Sequence, residues 1–151
     1  DGREDGDAIG ATDVESALAA AGHEIKPLDI VLVRTGCDRW IDTAEYMAHG
    51  PGVTAGATHW LYERGVRVMG IDAWGWDRPL WMQAQEAIES GEKGIFWEAH
   101  QADLAYSQIE RLVNLGSLPP TGFTVSCLPL PLVGGSAAPA RVVAMLDDER
   151  D

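Results

Sequence analysis

His100 is the residue of this chain whose surroundings in the sequence best match acid–base or metal chemistry. It lies within ten residues of three carboxylates, Glu98, Asp103 and Glu110. Histidine and glutamate both bind metal ions, and glutamate also acts as a general base. Because metal sites use three or four protein ligands, His100 and Glu110 predict at most part of a site. Such a pair also arises by chance, so the residues alone leave both interpretations open.

The other three histidines favour plainer interpretations. His23 follows a predicted helix end at Gly22, where the helix dipole stabilises a cationic imidazole; this position is typical of exposed helix ends. His59 lies beside Trp60 in a predicted helix, as a packed or surface histidine does. His49 lies in a glycine-rich loop, and such loops often carry binding residues, but no partner is evident in the sequence.

Three tryptophans, Trp74, Trp76 and Trp81, lie close together after a predicted strand. They are expected either to pack in the core or to wall a planar, apolar substrate. Asp72 and Asp77 flank the first two tryptophans, and both are typical of turns and helix N-caps. The segment nevertheless follows the carboxyl end of a strand, where open α/β sheets bind ligands. This placement makes Trp74 and Trp76 candidate substrate-binding residues.

Alternating helix and strand signals predict the elements that position these residues. The pattern of strand, helix and strand indicates an α/β fold with a mixed or parallel sheet. Residues 96–113 fit a helix only loosely, and a strand remains open for their second part. The predicted elements are a helix capped at Thr12 and ending at Gly22, strand 30–35, helix 54–65, strand 66–71, helix 79–90, strand 123–128 and strand 141–146.

Composition excludes several classes of protein. The chain has 151 residues, 46% hydrophobic and 23% charged, which is typical of one globular domain, and we expect residues 1–151 to form one. The net charge of −13 repels phosphate backbones and anionic membranes. Cys37 and Cys127 form no CxxC pair and are predicted to be reduced thiols. We therefore expect a cytoplasmic protein with neither nucleic-acid nor membrane partners.

Four segments together resemble the metal-dependent cyclase/hydrolase family that includes bacterial kynurenine formamidase and isatin hydrolase. They follow the family's order and cover nearly the whole chain. The four are Ile9–Gly36 (IGATDVESALAAAGHEIKPLDIVLVRTG), Gly52–Asp77 (GVTAGATHWLYERGVRVMGIDAWGWD), Trp97–Asn114 (WEAHQADLAYSQIERLVN) and Leu118–Ala144 (LPPTGFTVSCLPLPLVGGSAAPARVVA). Each motif is loose by itself, but four in register are specific.

The resemblance implies a fold, a cofactor and a role for two residues. The fold implied is a swivelling β/β/α domain with a mixed sheet, and Tyr106–Val113 is implied to be a strand. His100 and Glu110 match the family's active-site His and Glu, which bind or face a zinc or manganese ion. The metal activates a water that attacks an amide, lactam or ester carbonyl, and a histidine acts as general acid or base.

This sequence departs from the family pattern in one major respect. It lacks the family's metal-binding motif H-x-G-T-H-x-D-x-P-x-H, and Gly56–His59 (GATH) does not replace it. The spacing of His100 and Glu110 is also shorter than in several branches. Since the chain starts at Asp1, we expect it to be the C-terminal portion of a family member, incomplete at its N-terminus. The 151 residues alone are expected to be inactive.

Three functions follow from these observations. The first is hydrolysis of a small cyclic or aryl amide, lactam or lactone by the complete enzyme, with a small-molecule substrate and a homo-oligomeric assembly. The second is ring closure of a polyketide-type intermediate, a reaction for which some family members are named. The third is a non-catalytic binding or scaffold protein that lacks the metal motif.

Overall fold

The computed structural model describes residues 4–146, and it confirms the α/β class. The described residues divide into two compact units, one ending at Gly116 and one beginning at Ser117; that 1–151 form one domain stays a prediction. The elements of the first unit are β1 (Ala8–Ile9), α1 (Ala11–Ala21), β2 (Ile30–Val33), β3 (Gly52–Val53), α2 (Ala55–Glu63), β4 (Val68–Ile71), α3 (Leu80–Ser90) and β5 (Ser107–Ile109).

The helices of the first unit begin close to the predicted positions. Thr54 caps α2 as predicted, since its Oγ1 accepts a hydrogen bond from the Ala57 N–H at 3.1 Å. The prediction that Thr12 caps α1 is wrong. The cap is Gly10, whose N–H donates to the Asp13 carboxylate at 2.8 Å, so an acidic residue in the first turn reaches back to the chain before the helix.

A parallel sheet positions the later site residues. Its order is β2–β4–β5, and β4 lies in the middle. The predicted strand 30–35 ends early, at Val33, and its side chains are half-buried rather than buried. Only a short strand, Ser107–Ile109, occupies the segment that the family resemblance implies to be extended. Within residues 4–146, parallel and antiparallel pairs lie in different sheets, so one mixed sheet is not observed.

The core of the first unit lies around β4 and α2. Its fully buried side chains include Leu61, Val66, Met69, Ile71 and Trp76. Leu61 comes from α2, and Met69 and Ile71 come from β4. Burial of such side chains is worth about 1.5–3 kcal/mol each, so this cluster holds β4 and the loop that follows it in place.

Gly52 in β3 is a position where a side chain has no room. A Cβ atom there would lie 2.0 Å from the Arg78 backbone nitrogen and 2.3 Å from the Asp77 carbonyl carbon. Because backbone atoms cannot rotate away, we expect Gly52→Ala to lower the free energy of unfolding by about 3 kcal/mol. Urea unfolding measures this change.

The matched control is Gly56→Ala within α2, where the nearest atom to a new Cβ is Thr54 Oγ1 at 3.8 Å. Alanine favours a helix over glycine by about 1 kcal/mol, so this variant should be as stable as the parent or more so. Equal stability of the Gly52 and Gly56 variants would contradict the packing described at β3.

The second unit contains an antiparallel hairpin of β6 (Phe123–Pro129) and β7 (Ala140–Leu146). The two strands pair from Phe123 opposite Leu146 to Pro129 opposite Ala140. Each observed strand is one residue longer than its predicted counterpart, 123–128 for β6 and 141–146 for β7. Among residues 4–146, no helix has the length and apolar character that crossing a membrane requires.

Candidate active site

The carboxyl ends of β2, β4 and β5 lie at one edge of the sheet, because the three strands are parallel. Asp72 directly follows β4 and is fully buried. Its carboxylate accepts hydrogen bonds from the Thr35 N–H, the Thr35 hydroxyl and the Gly36 N–H at 2.6–2.8 Å. Asp72 thus links the ends of two strands. This is a structural role, as its sequence interpretation as a turn residue predicts.

Asp77 orients His100. The Asp77 side chain is only 3% exposed, and its Oδ2 accepts a hydrogen bond from His100 Nδ1–H at 2.5 Å. The same carboxylate accepts from the backbone N–H groups of Ala99, at 2.9 Å, and His100, at 3.3 Å. With Nδ1 occupied, Nε2 is the nitrogen of His100 that remains for chemistry.

Glu110 follows β5 and faces that nitrogen. Its Oε1 lies 3.6 Å from His100 Nε2 and accepts a hydrogen bond from the Trp76 backbone N–H at 2.9 Å. The structure therefore brings the two predicted site residues, His100 and Glu110, together. They approach each other although ten positions separate them in sequence, because β5 returns the chain to the edge where β4 ends.

The electrostatics of this trio favour a protonated His100. The hydrogen bond to Asp77 raises the pKa of His100 above its ordinary value of 6.5, against an opposing effect of burial. The charges of Asp77 and Glu110 act in the same direction as the hydrogen bond. The imidazole thus lies between two carboxylates that both stabilise its cationic form.

A pH dependence of stability follows from the raised pKa. A histidine whose pKa is higher in the folded state stabilises the fold fully below its unfolded pKa, near 6.5, and loses this contribution as the pH rises through the folded pKa. We expect His100→Gln to destabilise the metal-free protein more at pH 5.5 than at pH 8.5. Urea unfolding at both pH values tests this, and an equal loss at both would contradict it.

A shallow cavity of about 120 Å³ opens beside the trio. Apolar and aromatic side chains form much of its lining, and cations and carboxylates complete it. The lining residues are Met47, His49, Pro51, Ala73, Trp74, Gly75, Asp77, Arg78, Pro79, Leu80, Trp97, His100, Glu110 and Arg111. The cavity is smaller than the roughly 300–1,000 Å³ of most ligand pockets, but its lining joins apolar surface to a few convergent polar groups, as small-molecule sites do.

The structure places the two tryptophans of the predicted substrate wall in different surroundings. Trp74 lines the cavity, but Trp76 is 0% exposed and donates its indole N–H to Thr58 Oγ1 at 3.0 Å in the core. The prediction that Trp76 contacts substrate does not fit this burial, and we correct it to a packing role. Trp81 is 51% exposed and bonds the Ala48 carbonyl; it is not among the lining residues.

Of the other three histidines, one lines the cavity and two lie outside it. His49 lines the cavity, and its Nδ1 hydrogen-bonds to Asp5 Oδ2 at 2.6 Å, the partner that the sequence did not reveal. His23 is half-buried and pairs with Asp29 at 2.8 Å, so it is less exposed than its interpretation as a helix-end residue predicts. His59 is exposed on α2, as a surface histidine is.

Two residues that contact His100 escaped the sequence argument. Asp77 was interpreted only as a turn or cap, and Trp97 was not singled out. Trp97 lines the cavity and stacks on His100 with ring centroids 5.2 Å apart. Its backbone has a positive φ of 57°, held by a hydrogen bond from its N–H to Gln83 at 2.6 Å. The only sequence signal was an aromatic residue three positions before His100.

The family model Cyclase, described as "Putative cyclase", matches residues 1–78, which is just over half of the chain. The chain belongs to this cyclase family, as the four sequence segments predicted. No curated protein matches the sequence closely enough to serve as a relative.

Solved structures share the fold. An isatin hydrolase bound to the product analogue thioisatinate superposes with a TM-score of 0.78 at 23% identity, over 95% of this chain and 54% of that one. Isatin hydrolase A from Ralstonia solanacearum gives 0.77 at 25% identity, over 96% and 55%. A protein described as a potential metal-dependent hydrolase with cyclase activity gives 0.64 at 27% identity, over 93% and 59%. The chain thus spans little more than half the length of the structures it matches.

Proposed function

We propose that this chain contributes His100 and Glu110 to the active site of a metal-dependent hydrolase of small cyclic or aryl amides, lactams or lactones. The observation that carries the proposal is the trio itself: a buried Asp77 fixes His100, and Nε2 lies 3.6 Å from Glu110. Membership of the cyclase family and the likeness to proteins described as isatin hydrolases and metal-dependent hydrolases support it.

His100 and Glu110 fit a metal ion as two members of a larger ligand set. Two ligand atoms that each lie about 2.0–2.2 Å from a zinc ion are at most about 4.4 Å apart. His100 Nε2 and Glu110 Oε1 are 3.6 Å apart, which is within that limit. Among residues 4–146, no group of three His, Cys, Asp or Glu side chains could hold an ion. We therefore propose that the remaining ligands come from polypeptide beyond these residues.

The residues of this chain prepare the site in defined ways. With a metal bound, His100 would be neutral, and the hydrogen bond to Asp77 would keep its proton on Nδ1 and leave Nε2 as the ligand atom on the side of Glu110. The Trp76 backbone N–H fixes one oxygen of Glu110. The chemistry that zinc or manganese supplies when bound is activation of water and polarisation of a carbonyl. His100 is then a ligand or a proton shuttle, and Glu110 is a ligand or a base.

Hydrolysis of an aryl lactam by the purified protein tests this proposal. The assay supplies zinc or manganese and then an excess of EDTA. Turnover that stops with EDTA and returns with metal is expected of the complete enzyme, whereas a polypeptide of these 151 residues alone should be inactive. Chelator-sensitive hydrolysis by that polypeptide, shown free of other chains, would overturn the idea of a shared ligand set.

Ring closure of a polyketide-type intermediate is the second candidate. It is favoured by the cyclase family model and by one structural neighbour described as having cyclase activity. The same metal-dependent assay with such an intermediate separates the two reactions. Failure of both substrates together with absence of bound metal would favour a non-catalytic binding protein instead.

The substrate class, assembly, location and domain arrangement of the complete protein are also proposals. We propose a small-molecule substrate because the cavity is small and lined by aromatic groups. We also propose a homo-oligomer, a cytoplasmic location and, for the complete domain, the swivelling β/β/α arrangement. The net charge of −13 supports the absence of nucleic-acid partners.

A further inference from the structure

Arg111 is a cation of the cavity wall that pairs with no carboxylate of the described residues. Among residues 4–146 it forms no ion pair. The other arginine of the wall, Arg78, is paired with Glu86 at 2.8 Å. The guanidinium carbon of Arg111 instead lies over the Trp74 ring, 3.7 Å from its centroid, and Nε donates to the Trp74 carbonyl at 3.3 Å.

Stacking leaves the edge of this guanidinium available. A cation–π contact does not use the terminal N–H donors of the guanidinium, and within residues 4–146 only Nε of this side chain donates a hydrogen bond. Those donors form a fork that matches the two oxygens of a carboxylate. Arg111 is therefore held in place by Trp74 while it keeps the donors that recognise an anion.

The backbone brings Arg111 to the same wall as Glu110. Consecutive residues of a straight strand point to opposite faces, yet both of these line the cavity. The change of direction occurs at Arg111 itself, whose φ is +61°, a conformation that non-glycine residues seldom adopt. Its N–H bonds the Ala73 carbonyl at 3.1 Å, which holds the kink.

The remaining charges of the cavity are accounted for. Asp77 is paired with His100, and His49 is paired with Asp5. Glu110 faces His100 Nε2 and a backbone N–H. Arg111 is the charge for which residues 4–146 provide no partner of opposite sign, and an anionic ligand would supply one.

We propose that the cavity takes a small aromatic carboxylate, with Arg111 binding the carboxylate and the aromatic and apolar wall contacting the ring. This inference rests on the cavity of the proposed function and names the charge of its substrate or product. The apolar contacts come from Met47, Pro51, Leu80 and Trp97. A hydrolase that opens an aryl lactam forms a product of this type.

Binding of benzoate and benzamide to the purified protein in EDTA-containing buffer tests the inference. The two probes share a ring and differ in charge. Titration calorimetry should show benzoate binding at least about tenfold more tightly, since a hydrogen-bonded charge pair is stronger than a neutral one. Arg111→Gln should reduce that preference to near parity. Arg111→Lys, which keeps the charge but loses the fork, should retain part of it.

Arg64→Gln is the matched control. Arg64 lies over the Trp60 ring at 3.6 Å, the same arrangement as in Arg111, and it is not among the cavity residues. Its replacement should leave the preference for benzoate unchanged. Equal loss in both variants would assign the effect to stability or net charge and overturn the inference.

Three further results would also overturn it: equal binding of the two probes, a preference that survives in Arg111→Gln, or no binding of either probe. Because the titration requires neither metal nor turnover, its outcome is separate from that of the hydrolysis assay. A complete, metal-loaded protein that prefers benzoate but hydrolyses nothing would refute the proposed function and leave this inference intact.

Discussion

Replacement of Trp76 by alanine is expected to lower the free energy of unfolding by about 4 kcal/mol, the range of large aromatic-to-alanine changes in a core. The ring is 0% exposed, and its N–H is bonded to Thr58. The variant loses the buried area and leaves the Thr58 hydroxyl without this donor. Urea unfolding followed by circular dichroism measures the change.

Trp74→Ala is the comparison within the same loop. Trp74 is half-buried, and its loss removes a contact with Arg111 worth about 0.5–1 kcal/mol at an exposed site. Its effect on stability should therefore be much smaller. If Trp74 contacts substrate, its removal should raise KM more than it lowers kcat. Equal destabilisation by the two variants would contradict the division of the tryptophans into core and cavity residues.

Replacement of His100 by alanine is expected to lower kcat/KM of the metal-loaded protein at least about a hundredfold. The variant removes the group that faces Glu110 and either binds the metal or moves the proton. Asp77→Asn should cost about 10–100-fold, as changes to groups that orient a ligand do. Steady-state kinetics with an aryl lactam measures both effects.

His59→Ala controls for the loss of a histidine, because His59 is exposed on α2. It should leave kcat/KM unchanged. If His100→Ala is about as active as the parent protein, His100 has no role in the reaction, despite the likeness of the fold to hydrolases. A drop in activity that follows a matching drop in folded protein would instead assign His100 a structural role.

The sequence predicted the fold well where local signals dominate. Thr54, Gly22 and Pro79 mark helix ends that the structure confirms, since caps and breakers act within a few residues. The cap of α1 was misplaced because Asp13, and not Thr12, makes the reciprocal bond to the chain before the helix. Strand ends were less certain, because they depend on partners distant in sequence.

The candidate site was predictable only in part. His100 and Glu110 were found through resemblance to a family, and β5 explains why they meet. The role of Asp77 was not predictable, since its bond to His100 spans 23 positions and two loops. The same holds for Arg111. Its position depends on a positive φ, which an arginine in the sequence does not indicate. Trp76 and Trp74 look alike in the sequence, and only tertiary packing separates them.

Metal content is the measurement that tests the central claim most directly. Elemental mass spectrometry of the protein purified from its natural source should find about one or more zinc or manganese ions per chain. A variant in which His100→Ala and Glu110→Gln are combined should lose most of that metal while its fold persists. Absence of metal from the parent protein after dialysis against both ions, or full retention by the double variant, would contradict the assignment of His100 and Glu110 as metal ligands.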